Sequence, residues 1–418
     1  MDQDKTRFRR WRQMVALLFG VALINYVDRQ SLSVVAPRMQ AQLHLSDAGY
    51  AHIVSVFLLA SAIAYGLAGF ISDRLGTRRA MMLFVGWWSL AEAATAFATS
   101  IWALSVARFC LGLGEPGLWV AAPKAVSEAA PKERQSLSIG LYTLGATVGA
   151  VVALPLIAVI TRHLPWRSIF LLDGVVGLLW LPLWFWISRG WPRGTAGAGD
   201  GERRANGVGA LLRNPSTLRL LVARSLTDPV WYFFLFWFPK YLIGDRGLSL
   251  ESASRIGWVV YFGAGLGTLA GGAISGRWIR RGMTARRAYR STMLCAALLA
   301  PLSPLAALCG SSMGAALIAA VVALAHMAWL VALTATLVEL YPAEQVGKAA
   351  GLVAMGSGLG GMLSSEVVGY LVTHGGYTPV FCLMAVLHPL GIALLWPVFR
   401  ERPSMAEIAR GVPEPMSP

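Results

Sequence analysis

Asp28 and Arg29 are adjacent charges of opposite sign inside an apolar run from roughly Met14 to Ala36, with Asn25 and Tyr26 just before them. An ionised side chain near a bilayer centre costs about 2.5–3.5 kcal/mol or more, and such residues normally face a protein interior or a water-filled cavity. The quartet therefore points to a polar pocket at membrane depth. Arg108 and Glu115, on a later apolar run, are seven residues apart, so two helical turns place them on one face. Arginine keeps its charge and grips a carboxylate through two parallel hydrogen bonds, which suits an organic anion. The protonation of a buried carboxyl beside an arginine depends on whether an anion occupies that arginine, which is the link a proton-coupled carrier needs. Asp28 and Glu115 are thus expected to carry protons, and Arg29 and Arg108 to hold substrate with Asn25 and Tyr26 beside them. The other reading of the same residues is a static ion-pair network that only locks the helices together.

The elements that must position these residues follow from composition. Of 418 residues, 56% are hydrophobic and 14% charged, which excludes an ordinary soluble domain. Apolar stretches near twenty residues recur, about the length that crosses ~30 Å of hydrocarbon as a helix. A barrel would show ~10-residue alternating segments instead. The formal charge of +15 reflects topology rather than nucleic-acid binding. Roughly 26 of the Lys and Arg residues fall in loops on one side, about 6 on the other and about 4 inside spans, which places the crowded side in the cytoplasm. Cys110, Cys295, Cys309 and Cys382 lie in apolar runs without paired spacing, so neither a disulfide framework nor a metal site is expected. The basic start followed by an apolar run imitates a signal peptide, but the run is too long and carries Asp28-Arg29, so it is expected to remain as the first helix.

Twelve spans are expected: about 14–36, 50–72, 80–99, 101–124, 136–160 and 167–188, then 219–243, 254–276, 290–309, 313–340, 347–372 and 376–398. The fold class is an all-α integral membrane protein. A short cytoplasmic tail (1–13) precedes one six-helix bundle (14–188). A Gly-rich charged cytoplasmic linker (189–218), a second bundle (219–399) and a cytoplasmic tail (400–418) follow. The halves read as repeats. Gly69-Phe70-Ile71-Ser72-Asp73-Arg74 recurs as Gly272-Ala273-Ile274-Ser275-Gly276-Arg277, and Pro131-Lys132-Glu133 as Pro342-Ala343-Glu344. Repeats of this kind are the architecture of alternating-access transporters, with the site at the interface near the midplane. No GxxxxGK[ST] motif and no nucleophile–base or metal arrangement is visible, so neither an ATP-driven pump nor an enzyme is expected.

These residues also carry a family resemblance. Gly69-x-x-x-Asp73-Arg74-x-Gly76-x-Arg78-Arg79 resembles the helix 2–3 loop signature of the major facilitator superfamily. Asn25-Tyr26-Val27-Asp28-Arg29, Arg108-Phe109-Cys110-Leu111-Gly112-Leu113-Gly114-Glu115 and Phe236-Trp237-Phe238-Pro239-Lys240-Tyr241-Leu242 are similar to the anion:cation symporters, most of all their hexuronate and aldonate branch. His326-Met327-Ala328-Trp329 in helix 10 fits as well. The resemblance implies two pseudo-symmetric six-helix bundles in the inner membrane, both termini cytoplasmic, and import of an organic carboxylate with protons as the coupling ion. It implies Asp28 and Glu115 as proton-coupling residues and Arg29 as substrate ligand, with sodium in place of protons left open. Asp73, Arg74 and Arg78 would form a gate latch, which charge alone would read as positive-inside anchoring. A monomer in the lipid bilayer, without cofactor, metal or nucleic acid, is expected. Export by antiport and a non-transporting receptor are the alternatives.

Departures from the family bear on the substrate. The position twelve before Asp73, usually Tyr in these relatives, is Ser61, and after the helix 4 acid stands Pro116-Gly117-Leu118-Trp119-Val120. A helix 5 Asn-Ser pair is replaced by Thr143-Leu144, and Met327, Leu330 and Ala332 stand where helix 10 is usually polar. Ser61, Trp119, His326 and Trp329 complete the expected substrate-binding set. Loss of hydroxyl-binding groups argues for a less hydroxylated acid. Glu92 is a lone acid with a possible helper role and Lys124 a helix-end anchor. Arg224 and Asp228 read as a local pair, Glu366 as a cavity residue and His388 as packing.

Overall fold

The computed structural model describes residues 2–130, 134–189, 208–341 and 343–399, apart from the side chains of Asp73 and of residues 2–9, 135–137, 208 and 343–344. Most of the linker, the C-terminal tail and the Pro131/Pro342 repeat lie outside the described residues.

Among the described residues, twelve helical rods follow one another, each on one of the expected spans. The first half holds α1 (Asp2–Leu43), α2 (Asp47–Leu75), α3 (Thr77–Thr95), a rod divided into α4 (Ile101–Gly114) and α5 (Pro116–Ala129), α6 (Gln135–His163) and α7 (Arg167–Ile187). A short α8 (Val208–Arg213) leads to the second half. There α9 (Pro215–Phe236) continues through Phe238–Lys240 and a π-helical turn at Tyr241–Asp245. After it come α10 (Leu250–Arg280), a rod divided into α11 (Ala285–Leu299) and α12 (Ser303–Leu308), α13 (Ser312–Leu340), α14 (Ala343–Gly375) and α15 (Thr378–Leu395).

Eight of these rods are long and apolar enough to cross a membrane by length and composition. The other four are α1, α3, α4–α5 and α9. They carry Asp28 and Arg29, Glu92, Arg108 and Glu115, and Arg224 and Asp228. Outward faces are apolar, with Phe97 73%, Trp102 75% and Leu298 76% exposed, a surface suited to lipid rather than water.

Local chemistry sets the ends and the break. Ser46, Ser100, Ser249 and Ser311 cap the starts of α2, α4, α10 and α13 by accepting a backbone N–H, all at one end of the molecule. At the other end Gly76 turns α2 into α3 with φ +74°, a conformation that favours glycine. The α4–α5 break follows from Pro116, which has no N–H to continue the ladder, while Glu115 before it keeps helical dihedrals. A Cβ on Gly114 would lie 2.8 Å from Trp88 Cβ, so the glycine lets the end of α4 press against α3.

The halves meet along two seams, α2 against α14 and α6 against α10. At the capped end they are tied shut. Lys240 pairs with Asp47, Tyr50 donates to the Phe236 carbonyl at 2.5 Å, and Arg162 meets Glu251 at 2.6 Å. The opposite end carries the basic loops and has a cavity between the halves.

Candidate functional site

The cavity has a volume of about 2150 Å³ and runs from Tyr26 and Arg29 at depth to Arg74, Lys124, Glu339 and Lys348 near the basic end. That exceeds an ordinary ligand pocket of about 300–1,000 Å³, as expected of a vestibule leading to a site.

Arg29 occupies the deep wall. It is 7% exposed, and its Nε donates to Glu115 Oε2 at 2.5 Å. Its guanidinium carbon lies 5.6 Å from the Tyr26 ring and 5.9 Å from the Phe57 ring, so two aromatics fix its plane. Glu115 is fully buried behind the wall at the α4–α5 break, where it meets Arg29 of α1. Arg29 thus lines the cavity with its charge held by a buried carboxylate from the neighbouring rod. Trp119 packs edge-on to Tyr26 at 6.0 Å and donates to Asn25 Oδ1 at 3.3 Å, so Asn25 acts through the indole.

The facing wall comes from the second half. Arg224 donates to Asp228 Oδ2 at 2.9 Å, and the hydroxyls of Tyr232 and Ser357 meet at 2.9 Å. Trp231 stacks with His326 at 6.4 Å, and His326 Nδ1 lies 3.2 Å from His388 Nε2. All of these except His388 line the cavity.

The sequence-selected residues divide by position. Tyr26, Arg29, Trp119 and His326 line the cavity, while Asn25, Asp28 and Glu115 stand behind it. Ser61 lies away from it, its hydroxyl donating to the Phe57 carbonyl at 2.9 Å. Trp329 is buried in the second half and donates to Thr227 at 3.1 Å. Arg108 also stands off the cavity, 3.3 Å from Glu92 and over the Phe170 ring at 5.0 Å. Glu366 pairs with His52 at 3.6 Å on a half-exposed surface instead of lining the cavity. Arg74 lies at the mouth, and Arg78 donates to the Phe185 carbonyl of α7 at 3.2 Å, within its own half. The Asp73 side chain lies outside the described residues.

Two features escaped the sequence reading. Tyr65, one turn beyond Ser61, brings a phenol to the cavity, and the i+4 spacing could have pointed to it. Asp173 of α7 converges with Asp28 and Glu92, the three carboxyl groups having oxygens within 4.8 Å of one another. Among the described residues this is the group with metal-ligand spacing, but the Arg108 guanidinium shares its space.

Comparison with known proteins gives a consistent picture. The profile described as Major Facilitator Superfamily matches residues 18–334 and 282–418. The chain is 27% identical over 426 residues to the hexuronate transporter of Escherichia coli (strain K12), covering 97% of each chain. It is 31% identical over 268 residues to the hexuronate transporter of Bacillus subtilis (strain 168), covering 63% of this chain and 64% of that one. To the D-galactonate transporter of Escherichia coli O6:H1 it is 26% identical over 408 residues, covering 92% and 94%. In fold it is similar to a D-xylose–proton symporter (TM-score 0.71, 16% identity, covering 92% and 97%). It is also similar to an inward-facing, occupied bacterial homologue of the human lysosomal transporter Spinster (TM-score 0.69, 20% identity, covering 92% and 94%).

Proposed function

The chain belongs to the Major Facilitator Superfamily, as a multi-pass membrane transporter related to sugar-acid transporters, and we propose that it imports a sugar acid by proton symport. The observation that carries this reading is Arg29, a guanidinium on the cavity wall whose present partner is the buried Glu115. With the basic loops in the cytoplasm, the cavity is the inward-facing vestibule and the Asp47–Lys240 end is the closed outer gate.

In the proposed cycle the outer end opens and Glu115 takes a proton. Arg29 then loses its internal counter-charge, and a substrate carboxylate takes that place through the same donors. Tyr26 and Trp119 pack beside the bound acid. The neutralised site lets the halves rock along the α2–α14 and α6–α10 seams until the outer end closes. Release inside leaves Arg29 to Glu115 again, which returns the proton. Asp28 serves as a second proton carrier in this reading.

Hydroxyl recognition falls to groups outside the resemblance. Tyr65, Tyr232, Ser357 and the Arg224–Asp228 pair give the cavity partners for several hydroxyls even though Ser61 gives none. That favours a hydroxylated acid over an aliphatic or aromatic one, because a site built for hydroxyls rejects analogues lacking them. The named substrates of the curated relatives, hexuronate and D-galactonate, point the same way.

The test is uptake into proteoliposomes of labelled glucuronate, galactonate and benzoate, with and without an inward proton gradient. The reading expects gradient-driven accumulation of the two sugar acids and little of benzoate. Binding without flux for every acid, or benzoate preferred, would refute it.

A further inference from the structure

Three carboxyl groups from three helices meet behind the cavity. Asp28 of α1, Glu92 of α3 and Asp173 of α7 bring their oxygens within 4.8 Å of one another, and none of them lines the cavity. Arg108 of α4 is the cation inside the group, 3.3 Å from Glu92. The other ionisable side chains facing it among the described residues are Arg29 and Glu115, already paired at 2.5 Å, and Tyr50 of α2, whose phenol donates to the Phe236 carbonyl. Glu92 lies in the last turn of α3 and Asp173 in the second turn of α7, so the group sits toward the capped, closed end.

Two observations inside the group point to bound protons. Asp28 is 1% exposed, yet neither of its carboxyl oxygens has a hydrogen-bond partner. An ionised carboxylate there would have neither water nor a donor to solvate it. Ser31 Oγ lies 3.0 Å from the Val27 carbonyl oxygen and 2.7 Å from Asp173 Oδ2. A hydroxyl has one proton, so both contacts are full hydrogen bonds only when the Asp173 carboxyl supplies a proton of its own. Carboxyl groups this close do not all ionise together. A metal ion would have to sit against the Arg108 guanidinium, which leaves protons as the ligand that the geometry accepts.

Building on the proton symport proposed above, we propose that Asp28, Glu92 and Asp173 form a shared proton site, separate from the substrate cavity and on the outer side of the Arg29–Glu115 pair. When the outer end opens, hydronium gives a proton to a carboxylate oxygen of the group. Only O–H bonds form and break, and the proton leaves to water on the inner side after substrate release. Four acids (Asp28, Glu92, Glu115 and Asp173) stand against two guanidiniums (Arg29 and Arg108), an excess of two negative charges. In this scheme one proton enters at Glu115, where it offsets the substrate carboxylate on Arg29, and one enters the shared group, two protons for each substrate. The group makes Glu92 and Asp173 coupling residues although neither reaches substrate.

The test uses the full-length protein in proteoliposomes with D-glucuronate as probe, comparing wild type with Asp173→Asn and Glu92→Gln. Protons entering per glucuronate are counted with an internal pH dye, and glucuronate counterflow is measured without any gradient. Both variants are expected to keep counterflow while the proton count falls from about two to about one. An unchanged count in both would overturn the proposal. Loss of counterflow together with the count would assign the group to packing and also overturn it, as would glucuronate uptake driven by sodium at fixed pH. If wild type moves no protons with glucuronate, the symport reading itself fails. The infrared carbonyl stretch of protonated carboxyl groups then decides the site: its loss in Asp173→Asn sustains the shared site, and an unchanged spectrum overturns it.

Discussion

Replacing Arg29 by lysine separates charge from geometry at the deepest point of the cavity. Lysine keeps the positive charge that Glu115 requires, so the buried acid is not left alone. Removing the cation altogether would cost about 3–5 kcal/mol in stability, by the usual penalty for breaking a buried pair. What lysine loses is the planar fork. Arg29 gives its Nε to Glu115 at 2.5 Å while that acid is ionised; once Glu115 is protonated, Nε and a terminal nitrogen, held in plane by Tyr26 and Phe57, are the fork for the substrate carboxylate. An ammonium is a point charge on a flexible stem and cannot offer two parallel bonds to the same carboxylate. Losing one charge-assisted hydrogen bond removes about 1.5–3 kcal/mol, which corresponds to roughly 10–150-fold weaker binding. Glucuronate binding to purified Arg29→Lys, with thermal unfolding measured in the same preparation, reads both quantities. The expected result is a Tm near wild type with affinity reduced by at least about tenfold. Affinity within about threefold of wild type would refute the assignment of the substrate carboxylate to Arg29.

Two further predictions address the hydroxyl end and the gate. Ser61→Ala leaves glucuronate affinity unchanged, because that hydroxyl is committed to the Phe57 carbonyl. Tyr65→Phe weakens it by about 0.5–1.5 kcal/mol, roughly two- to tenfold, and equal effects of the two in a binding titration would contradict the cavity assignment. Lys240→Met removes the cation that ties Asp47 across the closed end and shifts the population toward the outward-open form. A cysteine introduced at Tyr50 in that background is expected to react faster with an impermeant maleimide than in the Lys240 background, and equal rates would show that the pair is no latch.

Much of this was legible in the sequence, for identifiable reasons. A membrane helix declares itself by apolar length, so the twelve rods fell where the apolar runs predicted. The division of the fourth rod was not anticipated: the run 101–124 reads as one span, and the structure breaks it at Pro116. The Arg29–Glu115 contact was within reach because both residues are charges in lipid-depth segments. What periodicity cannot supply is depth and phase against a neighbour. Arg108 and Glu115 do share a face of one rod, but at 1.5 Å per residue they are about 10 Å apart along its axis. At these two depths the first meets Glu92 and the second Arg29. Asp173 passed unnoticed because its partners lie on α1 and α3, and Ser31 is 142 residues away in sequence. Ser61 was chosen by position in a motif, but its hydroxyl turns back to the Phe57 carbonyl, while the longer Tyr65 one turn on, on nearly the same face, reaches the cavity. Glu366 was expected in the cavity and lies beside His52 on a half-exposed face instead, a distinction that only the packing of α14 on α2 decides.

The central claim is that Glu115 is the proton-operated competitor for Arg29, and Glu115→Gln tests it most directly. The amide occupies the place of the protonated acid and can neither take nor release a proton. In proteoliposomes the variant is expected to exchange labelled for unlabelled glucuronate at a rate comparable to wild type. Accumulation against a gradient is expected to fall to what the one proton of the Asp28–Glu92–Asp173 group can drive. Normal uphill accumulation by Glu115→Gln would contradict the account.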